Sequence, residues 1–216
     1  GICTSFWDKL IALHRVDYQN AGLSDLGKGE GYVERQINGW SKRYRDAKTW
    51  NVLSGKKVMQ WLENNMPERE NLCIVHNDFR LDNVILDPQN PSNILGILDW
   101  ELAAIGDPLM DLGNSLAYWV EEKDDFFIKS LRRQPTNLPG MMTRKEVLSY
   151  YEKQTGVAID DFRFYRVYGL FRLAGIVQQI YYRYSKGLTK NKAFKNFWLV
   201  SNYLILTCNN VIRKGA

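Results

Sequence analysis

Three short apolar runs near the middle of the chain limit its fold more than any other feature. They span residues 72–75, 84–86 and 94–98, and polar or turn-forming residues follow each of them. Short apolar runs bounded by Pro, Asn and Asp are typical of buried strands with turns between them. We therefore expect a small sheet that brings together the polar side chains at its strand ends.

The segment after the first run has the pattern H-x-D-x-x-x-x-N, from His76 to Asn83. A phosphoryl-transfer site needs a carboxylate that takes the proton of the acceptor hydroxyl. It also needs oxygen ligands that hold Mg²⁺ against the nucleotide phosphates. Asp78 suits the first role, while Asn83 and Asp99, at the end of the third run, suit the second. The pattern predicts a phosphoryl-transfer site that uses Mg²⁺.

Further segments make this prediction more specific. Residues 97–101 read I-L-D-W-E, residues 106–113 read G-D-P-L-M-D-L-G, and residues 31–40 read G-Y-V-E-R-Q-I-N-G-W. With the H-x-D-x-x-x-x-N pattern, they make the chain resemble the aminoglycoside phosphotransferase and choline kinase group of the protein-kinase-like superfamily. The last segment resembles the kinase-like domains of acyl-CoA dehydrogenase family members 10 and 11 and their bacterial relatives. The resemblance covers nearly the whole chain, most clearly residues 28–120.

The resemblance implies an α+β, predominantly helical fold. This is the protein-kinase-like C-terminal lobe, with a few short β-strands around the catalytic loop. It also implies an ATP-dependent small-molecule kinase that transfers the γ-phosphoryl group to a hydroxyl, with Mg²⁺ and ATP bound. One alternative is a pseudokinase-like binding or regulatory lobe. Another is a metal-dependent phosphoesterase built on His76, Asp78 and Asp99, although the chain has only two histidines.

The family also has an N-terminal nucleotide lobe, and its signals are missing before the catalytic loop. Residues 5–15, 32–48 and 55–65 are predicted to be helices, and no β-rich segment precedes residue 72. We therefore expect residues 1–216 to form the C-terminal lobe alone and to be inactive by themselves. Apolar surface left exposed at the lobe interface would favour a homo-oligomer.

Two site residues have alternative interpretations. Arg80 lies where kinase-like loops often carry a basic residue, so its guanidinium could stabilise charge on the transferred phosphoryl group. It could instead form an ion pair with Asp82 or lie at the surface. Glu101 could assist the metal through water or make a structural hydrogen bond.

Other polar residues are expected to support the site. We expect His76 to brace the loop by hydrogen bonding, because a single histidine is weak evidence for catalysis. Asp107 before Pro108 fits a helix N-cap. The resemblance implies that Asp111 accepts backbone hydrogen bonds from the catalytic loop. His14 is interpreted as an ordinary helix residue.

The segment 27–31 reads G-K-G-E-G and could be mistaken for a phosphate-binding loop. Such a loop should follow a strand and open a helix. Residues 17–26 are polar and turn-rich instead, with no strand pattern. We interpret the glycines as an inter-helix loop that leads into the helix containing Trp40.

The rest of the chain is predicted to be helical. Helices are expected over 108–121, 143–155, 160–185 and 188–213, with Thr143 and Glu146 forming a capping box. The aromatic residues of these helices are expected mainly to pack in the core; they are Tyr165, Tyr168, Phe171, Tyr181, Tyr182 and Tyr184.

Composition fits one domain and limits the partners. The net charge is +5, without a long Lys/Arg run, which argues against dedicated nucleic-acid binding and favours anionic ligands such as nucleotides. The three cysteines are far apart, as expected for reduced thiols in a cytoplasmic protein. No apolar run reaches membrane-spanning length, so no membrane partner is expected.

Overall fold

The computed structural model describes residues 1–214, in two compact units. The first unit comprises residues 1–30 and 71–160, and the second comprises residues 31–70 and those from 161 onward. The helices are α1 (Ile2–His14), α2 (Tyr32–Asp46), α3 (Lys56–Asn64), α4 (Pro108–Ala117), α5 (Phe126–Ser130), α6 (Arg144–Thr155), α7 (Arg163–Ser185) and α8 (Phe197–Lys214). The strands are β1 (Cys73–Val75), β2 (Val84–Leu86), β3 (Ile94–Ile97) and β4 (Ala104–Gly106). Helices dominate and the strands are short, which confirms the predicted fold class.

The strands lie in the first unit and form two separate antiparallel pairs. Strand β1 pairs with β4, where Cys73 faces Gly106, and β2 pairs with β3, where Val84 faces Ile97. The three predicted strands are present, but the expectation of one small sheet is wrong. Strand β4 was not predicted, because three residues carry no period of their own and depend on pairing with a distant partner.

An aromatic cluster fills the core of the first unit. Phe6 and Trp7 on α1 are fully buried, and their rings lie 4.4 Å from Phe79 and 5.0 Å from Trp119, respectively. Aromatic rings at these separations add about 0.5–1.5 kcal/mol per pair beyond the area they bury. The cluster fixes α1 against the segment that follows β1.

The helix starts follow the sequence signals more closely than some of the helix ends do. Thr143 and Glu146 form the predicted capping box of α6. Asp107 caps α4 by accepting hydrogen bonds from the N–H groups of Leu109 and Met110, also as predicted. Helix α4 ends at Ala117 instead of residue 121. Helix α8 begins at Phe197 instead of residue 188, after a short 3₁₀ turn at Lys192–Phe194.

The glycine-rich segment forms the loop expected from the sequence. Gly27 is extended, and a Cβ added there would lie 2.8 Å from the backbone nitrogen of Ile105 in β4. Glycine is therefore required at this position, because the backbone of residue 27 packs directly against the backbone of β4. Gly31 has a φ of +74° and is the N-cap residue of α2, the helix that contains Trp40. No strand precedes the segment, so the phosphate-loop interpretation gains no support.

The second unit consists of helices α2, α3, α7 and α8. Tyr44 of α2 is fully buried; its ring lies 5.5 Å from Phe171, and its hydroxyl donates a hydrogen bond to the Leu53 carbonyl. Within residues 1–214, no helix combines the length and apolar character needed to cross a membrane.

Charge is divided unequally between the two units. The second unit carries 18 Lys and Arg against 6 Asp and Glu, whereas the first carries 11 against 18. Their net charges are therefore +12 and −7. The basic residues are scattered along the sequence, but the fold collects most of them in one unit.

Candidate active site

The catalytic loop, residues 76–83, is fixed to the core by an aromatic side chain. Phe79 is fully buried and packs against Phe6 on α1. Removing such a ring from a packed core costs about 3–5 kcal/mol. Asp78 and Arg80, the polar residues on either side of Phe79, are thereby held at the edge of the core.

A buried carboxylate holds the start of this loop. Asp111 on α4 accepts hydrogen bonds from the backbone N–H of His76 to Oδ2 and of Asn77 to Oδ1, both at 2.7 Å. This confirms the role predicted for Asp111. Hydrogen bonds to a carboxylate are roughly twice as strong as those between neutral groups, so the loop start is fixed in position.

A third contact to Asp111 was not foreseen. Nε2 of His14 on α1 donates to Asp111 Oδ2 at 3.2 Å, and its Nδ1 lies 2.8 Å from the Tyr151 hydroxyl. Burial raises the pKa of Tyr151, with smaller contributions from Cys73 and Asp111, so its hydroxyl keeps its proton. The interpretation of His14 as an ordinary helix residue is wrong, because the sequence shows no sign of these two distant partners.

His76 braces the loop, as predicted. Its Nε2 donates to the Leu98 carbonyl at 2.9 Å, and its Nδ1 accepts from the Asp78 backbone N–H at 3.2 Å. One donating and one accepting nitrogen define the neutral Nε2–H tautomer. His76 therefore connects the catalytic loop to the residue that precedes Asp99.

The same residue is connected to the end of the loop. The Leu98 N–H donates to the Asn83 carbonyl at 2.8 Å. Leu98 is thus hydrogen-bonded through its C=O to His76 and through its N–H to Asn83. Of the three predicted residues, Asp78 and Asn83 are in direct contact, and Asp99 follows the hydrogen-bonded Leu98.

The Asp78 carboxylate has a partner on each oxygen. Arg80 Nε lies 3.2 Å from Oδ1, although its N–H makes no aligned hydrogen bond, and Asn83 Nδ2 donates to Oδ2 at 3.1 Å. Asn83 Nδ2 also donates to the Asp78 carbonyl at 2.8 Å. The Asp78 side chain retains 15% exposure, which leaves it accessible to a ligand. The Oδ1 atom of Asn83 accepts no hydrogen bond from any described residue.

Arg80 contacts three groups at once. Besides Asp78, its guanidinium lies 3.3 Å from Asp82 and stacks over the Tyr118 ring at 4.8 Å. The alternative of an ion pair with Asp82 is therefore observed together with a contact to Asp78. A partly buried guanidinium in this position can donate hydrogen bonds to an anionic ligand that binds at the loop.

Asp99 and Glu101 are both exposed. Asp99 lies near a strand end, as predicted, because β3 stops two residues earlier at Ile97. The expectation that this strand end is buried is wrong, since Asp99 is exposed. Glu101 lies in a short 3₁₀ turn, Trp100–Leu102, and makes no hydrogen bond or ion pair within the described part of the chain. No structural hydrogen bond of Glu101 is therefore seen.

Two backbone positions at the site are unusual. Asn77 and Asp99 have φ values of 65° and 66°, the positive values found outside glycine in residues 1–214. Left-handed backbone at such residues stores strain and clusters at functional sites. The role of Asn77 was not predicted from the sequence: its Nδ2 donates to the Leu102 carbonyl, and its Oδ1 accepts from Asn114 Nδ2.

Gln134 is another supporting residue that was not predicted from the sequence. It is buried, and its Oε1 accepts a hydrogen bond from the Leu81 N–H at 2.7 Å. It belongs to the loop at residues 134–140, which contains Pro135 and Pro139 and has no periodic pattern. Only the fold shows that this side chain fixes the second half of the catalytic loop.

The donor set suits a magnesium ion shared with phosphates. In the part of the chain that is described, no group of three or more His, Cys, Asp or Glu side chains could enclose a metal. Mg²⁺ is usually held by one or two protein ligands together with water and phosphate oxygens. Asn83 Oδ1 and the exposed Asp99 carboxylate are oxygen atoms of the kind that could hold such an ion.

The chain belongs to the phosphotransferase enzyme family. The model of this family matches residues 1–146, which contain the whole catalytic loop and Asp99. The fold and the family together define the class as a kinase-like phosphotransferase.

The similar proteins agree with this assignment. The chain is 35% identical to mouse acyl-CoA dehydrogenase family member 10 over 85% of its length, and 32% identical to the rat family member 11 over 94%. It spans only 17% and 26% of those proteins.

Solved structures give the same picture. A candidate aminoglycoside phosphotransferase from Ralstonia eutropha is 31% identical, with a TM-score of 0.83 over 98% of this chain and 65% of that one. Choline kinase from Cryptosporidium parvum shares the fold at 14% identity, with a TM-score of 0.64 over 99% of this chain and 66% of that one. The predicted resemblance is confirmed.

Proposed function

We propose that this chain is the catalytic-loop lobe of an ATP-dependent kinase that transfers the γ-phosphoryl group to a hydroxyl of a small molecule. The main support is the Asp78–Asn83 contact within a loop that Asp111 and His76 hold in place. It sets a proton acceptor beside a metal ligand, the arrangement that phosphoryl transfer requires.

Asp78 orients the acceptor hydroxyl and takes its proton. Its side chain is accessible, and its two oxygens are positioned by Arg80 and Asn83. Arg80 stabilises charge on the phosphoryl group as it moves, because its guanidinium lies beside the carboxylate that receives the acceptor. Both roles depend on a fixed loop, since a misplaced acceptor loses the benefit of proximity.

Asn83 and Asp99 would hold Mg²⁺, with Glu101 assisting through water. The bound ion would neutralise charge on the nucleotide phosphates. Asn83 contributes because its amide nitrogen is held by Asp78, which leaves its oxygen as the atom available to a cation. Asp99 contributes a carboxylate from an exposed turn next to Leu98.

A hydroxyl acceptor is the chemistry that the named neighbours share. Aminoglycosides and choline are both alcohols, and the neighbours named for them have this fold. A nucleotide-covering lobe outside the described residues is part of this proposal. A cytoplasmic location and self-association stay predictions.

The test is a transfer assay on the protein at its full natural length. Labelled ATP, Mg²⁺ and a panel of hydroxyl compounds should give a labelled product with at least one acceptor. The reaction should stop when Mg²⁺ is chelated. Tight Mg-ATP binding without transfer to any acceptor or to water would instead support the binding or regulatory lobe.

A further inference from the structure

One buried arginine in the second unit has no anionic partner. Arg172 on α7 has 4% of its surface exposed. Among residues 1–214 it takes part in no ion pair and donates no hydrogen bond to a protein acceptor; its contact is the Trp40 ring, 5.3 Å from the guanidinium carbon. A buried guanidinium normally has acceptors for its five N–H groups, since burying a charge without them is costly.

The guanidinium of Arg172 is nevertheless reachable from solvent. Its nitrogen atoms are not completely occluded, so the small exposed area of the residue includes its polar end. Because only 4% of Arg172 is exposed, the accessible part of its guanidinium is small. This small area favours a small ligand group over an extended polymer.

Neighbouring polar residues on α7 do find partners. The Tyr168 hydroxyl, one turn before Arg172, donates to Gln36 Oε1 at 3.4 Å. Gln178, further along the helix, donates from Nε2 to the Ala47 carbonyl at 2.6 Å. Polar side chains of α7 before and after Arg172 therefore have hydrogen-bond acceptors, whereas the Arg172 guanidinium has none among the described residues.

A second arginine lies at the same indole ring. The Arg43 guanidinium carbon is 4.8 Å from the Trp40 ring centroid. Gly175 on α7 allows the ring to approach closely, because a Cβ there would lie 3.1 Å from Trp40 Cε3. Two guanidinium groups at one ring favour an oxyanion, which accepts bidentate hydrogen bonds from arginine. They disfavour a cationic ligand on the ring face.

Three carboxylates of the second unit are bound to groups other than Arg172. Glu70 accepts the N–H groups at the start of α2, Asp46 pairs with Lys42, and Asp161 pairs with Arg163. With a net charge of +12, this unit attracts anions.

We propose that Arg172, together with Arg43 and Trp40, forms a subsite that binds the carboxylate or phosphate group of a small anionic ligand. The subsite lies entirely within the second unit, on α2 and α7. It goes beyond the proposed phosphoryl transfer, because it concerns a different unit and needs no nucleotide.

The test is calorimetric titration of the 216-residue chain with orthophosphate and, separately, with acetate. At least one of these should bind, and the tighter of the two identifies the group that the subsite prefers. Tetramethylammonium, a cation of similar size, should not bind. Arg172→Gln and Arg172→Lys should each weaken anion binding at least tenfold. The first removes the positive charge, and the second keeps the charge but removes the planar guanidinium that donates two parallel hydrogen bonds.

Arg163→Gln is the matched control, because it removes another arginine of α7 that is already paired with Asp161. Its anion affinity should equal that of the wild type. Equal affinity in Arg172→Gln and the wild type would overturn the proposal, as would an equal loss in the control or no binding of either anion. If Arg172→Gln does not fold, Arg43→Gln and Trp40→Phe decide: unchanged affinity in both would refute the subsite. The titration needs no kinase activity, so its failure is distinguishable from failure of the proposed function.

Discussion

The imidazole of His14 donates a hydrogen bond to the buried carboxylate of Asp111, 97 residues further along the chain. Since Asp111 also accepts the N–H groups of His76 and Asn77, helix α1 supports the catalytic loop through one shared carboxylate. Damage to α1 should therefore affect chemistry as well as stability.

His14→Ala is expected to lower the free energy of unfolding by about 1–3 kcal/mol, because it removes one of three hydrogen bonds to the buried Asp111 carboxylate and also the imidazole partner of the Tyr151 hydroxyl. It should also reduce the phosphoryl-transfer rate more than the affinity for nucleotide. Thermal or denaturant unfolding and initial rates would measure the two effects. His14→Gln, which can still donate to Asp111, should recover part of the rate. Lys9→Ala, on the exposed face of α1, should change stability by less than about 0.5 kcal/mol. An equal loss in Lys9→Ala would contradict the role of His14.

Asp78→Asn is expected to lower the transfer rate of the full-length protein by roughly 10²–10⁴-fold while leaving nucleotide binding nearly unchanged. The substitution keeps the shape of the side chain and removes its ability to take a proton. The matched control is Asp82→Asn, a carboxylate of the same loop that also contacts Arg80 but is more exposed. Wild-type rates in Asp78→Asn would exclude Asp78 as the base.

Asp99→Asn is expected to weaken Mg²⁺-dependent nucleotide binding by about tenfold or more, given that even outer-shell groups of metal sites contribute 10–100-fold. Asparagine tolerates the left-handed backbone, so the change tests the charge alone. Asp107→Ala should leave metal affinity intact and lower stability by about 0.5–2 kcal/mol, because it removes the cap of α4. Mg²⁺ titration at fixed nucleotide, with melting curves, separates the two. Equal losses of metal affinity would show that Asp99 is not a ligand.

The 216-residue chain by itself is expected to fold and yet to transfer no phosphoryl group. The proposed metal ligands and proton acceptor are present, but the described residues contain no strand–loop–strand element before β1 that could cover the phosphates. A kinase assay with hydroxyl acceptors and a calorimetric titration with Mg-ATP would test this. Rapid turnover by the chain alone would show that one-sided nucleotide binding suffices.

The protein is expected to lose stability in alkaline solution. Burial raises the pKa of Tyr44 to about 12, and it also raises the pKa of Cys73 and Cys208 above the ordinary thiol value. These groups prefer to stay protonated in the folded state. Their stabilising effect is therefore complete below pH 9 and decreases as the pH rises through the range where the unfolded chain ionises. For Tyr44 alone the loss is on the order of 2–3 kcal/mol by pH 12. Melting curves between pH 8 and 11 should fall steadily; a flat profile would be inconsistent with this account.

The contacts that could be predicted from the sequence are the local ones. Asp78 and Asn83 stand in one short pattern and are in contact, while their catalytic and metal-binding roles stay predictions. Thr143, Glu146 and Asp107 act on backbone only a few residues away, so short-range rules predicted their contacts. His14 and Gln134 act on partners 97 and 53 residues away, and no local signal marks them. Strand β4 likewise exists only because β1 lies beside it. The exposure of Asp99 could not be inferred, because an apolar run does not show where the chain turns outward.

The left-handed backbone at Asn77 and Asp99 affects how any systematic mutational scan of this protein should be interpreted. Alanine at either position would remove a polar side chain and also oppose the local backbone geometry, at a cost on the order of 1–2 kcal/mol per residue. A loss of function in an alanine scan would therefore combine two separate causes. Glycine at the same positions removes the side chain without that strain. The difference between the glycine and alanine variants measures what the backbone contributes, and the glycine variant alone measures what the side chain contributes.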